Sequence, residues 1–250
     1  PDTLNINELL IENKVSSKTK AIIPVHYAGV GCEMDVISDI SKHFQIPVIE
    51  DNAHGLFGRY KGKFLGTIGS MGTQSFHETK NIQCGEGGAL LVNDETLIER
   101  AVIIRDKGTN RQNFLDGKVD SYTWVDIGSS FGLSEIQAAF LYAQLQSFGL
   151  IQKKRKQLWF TYMDSLSGWA NRNDVKLPFI PANCESTYHI FYMILPTIRH
   201  RQDMINYLND LGINGSSHFT PLHLSKMSQR LGVLDQCPLT EYICGRLIRL

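Results

Sequence analysis

The first quarter of the chain alternates two short apolar runs with one amphipathic segment. Residues 20–26 and 47–51 are almost continuously apolar, as is typical of buried strands in a parallel sheet. The segment between them, residues 35–44, predicts a helix with Val36, Ile37, Ile40 and Phe44 on one face. The order strand, helix, strand predicts a βαβ unit with a right-handed crossover.

The remaining pattern predicts further strands and then mainly helices. Residues 57–64 resemble a hairpin that turns at Lys61–Gly62, and strands are expected at 69–77 and 88–92. Asp94 is expected to cap a helix that runs to about residue 107. Beyond it we expect helices over 133–148, 152–166 and 203–211, and a strand over 188–195.

A chain of 250 residues suits one large domain with a smaller one. We place a large α/β domain at residues 1–150, and a bridging helix with a smaller α+β domain at residues 151–250. The chain opens on Pro1 and stops at Leu250 inside a running element, so both domains are expected to lack a terminal part.

Composition excludes several classes of function. With 25 basic and 25 acidic residues the net charge is formally zero, so neither nucleic acid nor an anionic membrane is an expected partner. No apolar run approaches the roughly 20 residues of a membrane helix, and no signal peptide is recognisable. The five cysteines are scattered without a C-x-x-C pair, which favours a reduced, cytoplasmic protein and no metal site.

Candidate chemistry lies at two strand ends. Asp51 ends the 47–51 strand and Lys80 follows the 69–77 strand, and ligands of such sheets bind beyond the carboxyl ends of the strands. A carboxylate and an amine so placed match pyridoxal phosphate (PLP), with the Ser75 hydroxyl available for the phosphate. The spacing leaves three other interpretations open: Asp51 caps a turn, it forms a structural ion pair with Lys80, or the two residues make no contact.

Three stretches in this order resemble the sugar-nucleotide aminotransferases: residues 50–55 (EDNAHG), 75–81 (SFHETKN) and 85–89 (GEGGA). Residues 107–111, 122–124, 126–130 and 134–139 narrow the resemblance to the transaminases that make dTDP-4-amino-4,6-dideoxygalactose. The resemblance implies the PLP-dependent transferase fold type I, an α/β fold whose mostly parallel sheet is flanked by helices.

The resemblance also implies roles for individual residues. Lys80 would be the catalytic residue that forms the imine with PLP, and Asp51 would pair with the pyridine nitrogen. Ala53 would lie against the ring, and His54 stands where the family often has a glutamine near the ring hydroxyl. The remaining implied contacts are those of Ser75 with the phosphate and of Ser130 with the phosphate across a subunit interface. Apart from the resemblance, the sequence offers His189, His218 and His223 as candidate substrate contacts, although isolated histidines are more often structural residues held by hydrogen bonds.

The implied reaction transfers an amino group from glutamate to the 4-keto group of a dTDP-4-keto-6-deoxyhexose. Its product would be dTDP-4-amino-4,6-dideoxygalactose, in a cytoplasmic homodimer that serves surface-polysaccharide or lipopolysaccharide biosynthesis. The alternatives are transamination at C3, transamination of another nucleotide sugar, and a truncated, non-catalytic fragment.

Overall fold

The computed structural model describes residues 2–218, 220–232 and 236–250 and divides into two compact units. The first unit comprises Asn5–Ile151 and Ala182–Thr187. The second comprises Pro1–Leu4, Gln152–Pro181 and Tyr188–Leu250. The long helix α5 (Phe148–Arg172) begins in the first unit and continues in the second.

The first unit contains a three-stranded sheet in the order β1 (Ile49–Asp51), β4 (Met71–Ser75), β5 (Gly88–Val92). Strands β1 and β4 are parallel, with Asp51 opposite Thr73. Strands β4 and β5 are antiparallel, with Ser75 opposite Gly88. A smaller antiparallel sheet joins β2 (Arg59–Tyr60), β3 (Lys63–Phe64) and β6 (Cys184–Glu185), which confirms the hairpin predicted at Lys61–Gly62.

The prediction of a continuous buried strand over residues 20–26 is wrong in part. The segment does run parallel to β1, but only through isolated bridges of Ile22 with Val48 and of Val25 with Asp51. Pro24 cannot donate a ladder hydrogen bond, which interrupts the strand. Ile23 is 59% exposed, so this segment is covered on one face only.

Most α-helices of the first unit lie at or near predicted segments. Helix α1 (Met34–Phe44) connects residues 20–26 to β1, which confirms the βαβ unit. Asp94 accepts the Thr96 N–H and caps a 3-10 turn, Glu95–Leu97, that leads directly into α2 (Ile98–Arg105), so the predicted cap begins one turn before the α-helix itself. The other helices are α3 (Arg111–Leu115) and α4 (Glu135–Gln146). The amino-terminal segment before residue 20 contains two short 3-10 turns, Glu8–Leu10 and Glu12–Lys14.

A buried, hydrogen-bonded pair of side chains fixes the strand that carries Asp51. Glu50 and His26 are fully buried, and His26 Nε2 lies 2.8 Å from Glu50 Oε2. Because His26 Nδ1 accepts the Cys32 N–H (3.1 Å), Nε2 carries the proton and donates it to Glu50. Glu50 also accepts backbone N–H bonds from Gly66 (2.8 Å), Ile68 (2.6 Å) and Gly69 (2.7 Å). Strand β1 is thereby tied to the segment before α1 and to the loop before β4.

The second unit is built around an antiparallel pair, β7 (Tyr192–Ile194) and β8 (Leu247–Arg249). Its core packs Trp159 and Ala170 of α5 against Phe191, Met193 and Ile248. The described part of this unit contains three further α-helices: α6 (Ile198–Asp210), α7 (Lys226–Arg230) and α8 (Pro238–Cys244). Within the described residues, no helix is both long and apolar enough to cross a membrane.

Candidate active site

Asp51 and Ser75 lie on the same face of the main sheet and at the same edge. Asp51 ends β1 and is paired with Thr73, and Ser75 ends β4 two residues further on. Side chains alternate between the faces of a strand, so Asp51, Thr73 and Ser75 share one face. All three are half-buried, whereas Glu50 and Gln74, on the opposite face, are buried. The accessible face of this edge therefore presents a carboxylate and two hydroxyl groups.

Lys80 lies in the connection between β4 and β5, residues 76–87. Since β4 ends and β5 begins at the edge where β1 ends, this connection leaves and re-enters the sheet beside Asp51 and Ser75. Lys80 itself is half-buried, and its backbone N–H donates to the His77 carbonyl (2.9 Å) in a tight turn.

Backbone hydrogen bonds and buried side chains hold that connection in shape. Phe76 N–H donates to the Gly87 carbonyl (2.8 Å), and Cys84 N–H donates to the Phe76 carbonyl (2.9 Å). Phe76, Ile82 and Cys84 are buried together with Leu141 of α4. Lys80 is consequently carried by an anchored loop.

The carboxylate of Asp51 is already engaged in the turn that follows β1. Its Oδ1 accepts the Ala53 N–H at 3.0 Å. This is the turn-capping role that the sequence left open for Asp51, and it places Ala53 directly beside the carboxylate. The turn and a ligand-binding role do not exclude each other, because a carboxylate has two oxygen atoms.

His54 packs against the loop that follows residues 20–26. Its Nδ1 accepts the Ala28 N–H (3.2 Å), and its ring meets the Tyr27 ring edge-on, with 5.8 Å between centroids. Ala28 has a positive φ of 55° and Gly29 one of 81°. The imidazole therefore supports an unusual backbone turn, a role that its place in the motif did not indicate.

Thr187 is a buried residue of this region that the sequence did not single out. Its Oγ1 donates to the His54 carbonyl (2.6 Å) although 133 positions separate the two residues. Asn81, next to Lys80, donates its side-chain N–H to the Thr187 carbonyl (2.8 Å). No local pattern marks Thr187, whereas Asn81 belongs to the 75–81 stretch.

The other predicted residues lie elsewhere. Ser130 is exposed and forms a bridge with Asp106 in the first unit. His189, His218 and His223 belong to the second unit, where His223 Nε2 lies 2.9 Å from Glu241 Oε1. Their roles toward a phosphate or a substrate stay predictions. Among the described residues, no group of three or more His, Cys, Asp or Glu side chains is arranged to hold a metal ion.

The model of the DegT/DnrJ/EryC1/StrS aminotransferase family matches residues 1–250 of the chain. The protein belongs to this family. It is 35% identical over 229 residues, 89% of this chain, to the uncharacterized protein MJ1066 of Methanocaldococcus jannaschii, of which it covers 58%.

Two solved structures have the same fold. DesV of S. venezuelae, in complex with a ketimine intermediate, is 27% identical with a TM-score of 0.84, over 100% of this chain and 64% of that one. Spr1654 of Streptococcus pneumoniae, a proposed sugar aminotransferase, is in its PMP-form 25% identical with a TM-score of 0.84, over 100% of this chain and 68% of that one. The chain thus spans about two thirds of these structures, and its predicted α/β fold of type I is confirmed.

Proposed function

We propose that this protein is a PLP-dependent sugar aminotransferase. The observation that carries the proposal is the placement of Asp51 and Ser75 on one face of one sheet edge, with Lys80 in the loop that leaves and re-enters that edge. Membership of an aminotransferase family and the PMP-form of Spr1654 support it.

The donor set of this edge fits PLP. The cofactor needs a carboxylate for its pyridine nitrogen, donors for its phosphate and an amine for its aldehyde, and Asp51, Ser75 and Lys80 offer these groups. When bound, PLP supplies an electron-withdrawing ring that stabilises negative charge at the adjoining carbon. Ala53 and His54 follow Asp51 directly and would border the ring.

The side chains of this edge would then divide the work. Asp51 Oδ1 accepts the Ala53 N–H, so Oδ2 would face the pyridine nitrogen and keep its proton in place. The Lys80 amine, carried by an anchored loop, would bind the aldehyde of the cofactor. Once released, its Nζ would accept and return the proton at the reacting carbon of the amino donor or of the keto sugar.

For the substrate we propose the 4-keto group of a dTDP-4-keto-6-deoxyhexose, with glutamate as donor and dTDP-4-amino-4,6-dideoxygalactose as product. The motifs at residues 107–111, 122–124, 126–130 and 134–139 support this assignment. His189, His218 and His223 are the proposed substrate contacts of the second unit.

We further propose a homodimer, completed through the segment 122–150. This segment exposes many large apolar side chains, with Trp124 at 74%, Ile127 at 83% and Ile136 at 84% exposure. Apolar surface of this extent is characteristic of protein interfaces. Ser130 lies within the same segment, which supports its proposed contact with a phosphate across the interface.

The cofactor assignment is tested by trapping. The protein is incubated with PLP, reduced with borohydride and digested, and the modified peptide is located by mass spectrometry. We expect the label on Lys80 and no label in Lys80→Ala. The control is Lys63→Ala, which removes an exposed lysine of the β2–β3 hairpin and should leave the labelling unchanged. Labelling of Lys80→Ala to the extent of the unaltered protein would refute the assignment.

The substrate assignment requires a separate assay. The protein, PLP and glutamate are incubated with dTDP-4-keto-6-deoxyglucose, and the product is characterised by NMR. An amino group at C4 with the galactose configuration is expected. Amination of a 3-keto substrate, or of a sugar on another nucleotide only, would overturn the sugar assignment and leave the aminotransferase assignment intact.

The dimer is tested by light scattering after size-exclusion chromatography. Ile136→Glu places a charge on the exposed face of α4 and should yield a monomer of unchanged helical content. Leu10→Glu, at a residue 56% exposed outside the segment, should remain dimeric. A monomeric unaltered protein, or a dimeric Ile136→Glu variant, would contradict this interface.

A further inference from the structure

Thr187 ties together three loops at the candidate active site. Its side chain is fully buried, and Oγ1 donates to the His54 carbonyl (2.6 Å). Its backbone N–H donates to the Gly29 carbonyl (3.2 Å), and its own carbonyl accepts the Asn81 side-chain N–H (2.8 Å). Each polar group of this single residue thus binds a different loop.

The three loops are those that leave the carboxyl ends of neighbouring strand segments. Gly29 follows residues 20–26, His54 follows β1, and Asn81 follows β4. The approach of Thr187 to Gly29 is so close that a Cβ at residue 29 would lie 1.8 Å from Thr187 Oγ1. Glycine is required there both for this contact and for a φ of 81°.

The bond from Asn81 holds the loop immediately after Lys80. On the other side, the Lys80 N–H donates to the His77 carbonyl at 2.9 Å. The backbone of Lys80 is therefore restrained before and after its Cα atom. The restraint after it runs through Thr187 to His54, which lies three residues beyond Asp51.

We infer that Asn81 and Thr187 are positioning residues that hold the Lys80 amine in register with the loop after Asp51. The inference rests on the proposed function, because it assigns a purpose to the amine of Lys80. Misplacing a reacting group by about 1 Å can slow a reaction on the order of 100-fold. Loss of one of two restraints should therefore slow attachment of PLP to Lys80 by at least about 10-fold.

Asn81→Ala removes the donor, and Asn81→Asp replaces it with an acceptor of the same shape. Asn93→Ala is the matched control, because Asn93 donates to the Gly66 (3.0 Å) and Gly69 (2.8 Å) carbonyls in the same unit but lies beyond the opposite end of β5. A second pair tests Thr187: Thr187→Ser keeps the hydroxyl, and Thr187→Val removes it.

Two measurements are made on each variant. The first is the rate at which borohydride traps PLP on Lys80 at saturating PLP, followed by peptide mass spectrometry. The second is hydrogen exchange of the backbone amides of residues 78–82 without cofactor. We expect both Asn81 variants and Thr187→Val to trap at least about 10-fold more slowly and to exchange faster at these amides. Thr187→Ser and Asn93→Ala should match the unaltered protein in both.

The outcomes separate this inference from the proposed function. If the unaltered protein does not trap PLP on Lys80, the proposed function fails. In that case the positioning role is judged by hydrogen exchange alone, and unchanged exchange at residues 78–82 in Asn81→Ala overturns it. If the unaltered protein traps PLP but Asn81→Ala traps equally fast, or is slowed no more than Asn93→Ala, only the positioning inference fails.

Discussion

Replacing Glu50 by glutamine puts an NH2 group into a site where every neighbour is a donor. Oε2 accepts from His26 Nε2 and the Gly66 N–H, and Oε1 accepts from the N–H groups of Ile68 and Gly69. A glutamine NH2 at either position would face two of these donors. His26 cannot adapt by moving its proton to Nδ1, because Nδ1 would then face the Cys32 N–H.

The expected loss of stability follows from the count of broken bonds. Two donors lose their acceptor, and each such loss costs about 1–3 kcal/mol, so Glu50→Gln should lower the free energy of unfolding by about 2–6 kcal/mol. This is a large share of the free energy of unfolding of a folded domain, which is typically about 5–15 kcal/mol. At a urea slope of about 2 kcal/mol per molar, the midpoint falls by roughly 1–3 M.

The assay is urea unfolding followed by far-UV circular dichroism. Because the two units can unfold in separate transitions, hydrogen exchange of peptides covering residues 45–75 assigns the change to the first unit. The control is Glu185→Gln, at a side chain 72% exposed, which should stay within about 0.5 kcal/mol. A Glu50→Gln protein as stable as this control would refute the buried hydrogen bonds.

The same pair predicts a pH dependence. Burial alone would raise the pKa of Glu50, but the hydrogen bonds from His26, Gly69 and Gly66 outweigh it and hold the pKa below the ordinary value of 4.5. A lowered folded-state pKa contributes stability that is complete above the unfolded pKa and is lost as the pH falls through the folded pKa. The stability difference between the unaltered protein and Glu50→Gln should therefore be constant near pH 7 and shrink below pH 4.5. A difference that grows on acidification would contradict it.

Two further predictions concern the neighbourhood of the site. Gly29→Ala would place a Cβ 1.8 Å from Thr187 Oγ1, in addition to the roughly 1–2 kcal/mol cost of a positive φ. Urea unfolding should therefore show a larger loss of stability than for Gly62→Ala, where φ is 79° and nothing lies within 4 Å of the added Cβ. Equal losses of stability in the two variants would speak against the contact. Burial raises the pKa of the Cys32 thiol to about 12 and that of Cys184 to about 11. Both thiols should therefore resist thiol reagents at about pH 8 in the native protein and react after unfolding in urea. Rapid labelling of either thiol in the native protein would disprove its burial.

Regular local patterns predicted the elements that position the site. Helix α1 was expected at residues 35–44 and spans Met34–Phe44, because its apolar spacing is a local property of the sequence. Strand β5 was expected and found at Gly88–Val92. Residues 20–26 were expected to form a continuous buried strand because they are almost all apolar. Composition alone does not show that Pro24 interrupts the hydrogen-bonded ladder or that alternate residues remain exposed.

Boundaries set by tertiary contacts were harder to predict. The strand expected over 188–195 is limited to Tyr192–Ile194, because only these residues find a partner in β8. Helix α6 is an exception, because it begins at Ile198, earlier than the expected 203, where Thr197 caps it by accepting the His200 N–H, a local signal that the prediction missed. The role of Thr187 could not be predicted from local patterns, because its partners His54 and Asn81 are more than a hundred positions away in the sequence.

The turn after β1 also bears on which residues could stand at position 51. Because Oδ1 closes the turn with the Ala53 N–H, an asparagine could reproduce the fold of the loop with its own carbonyl oxygen. It would, however, present a neutral amide in the place of the second carboxylate oxygen. Glutamate has the charge but is one methylene longer, so the turn would be lost. Of these three residues, aspartate alone satisfies both the turn and the proposed contact with the pyridine nitrogen, and a comparison of Asp51→Asn with Asp51→Glu would separate the two roles.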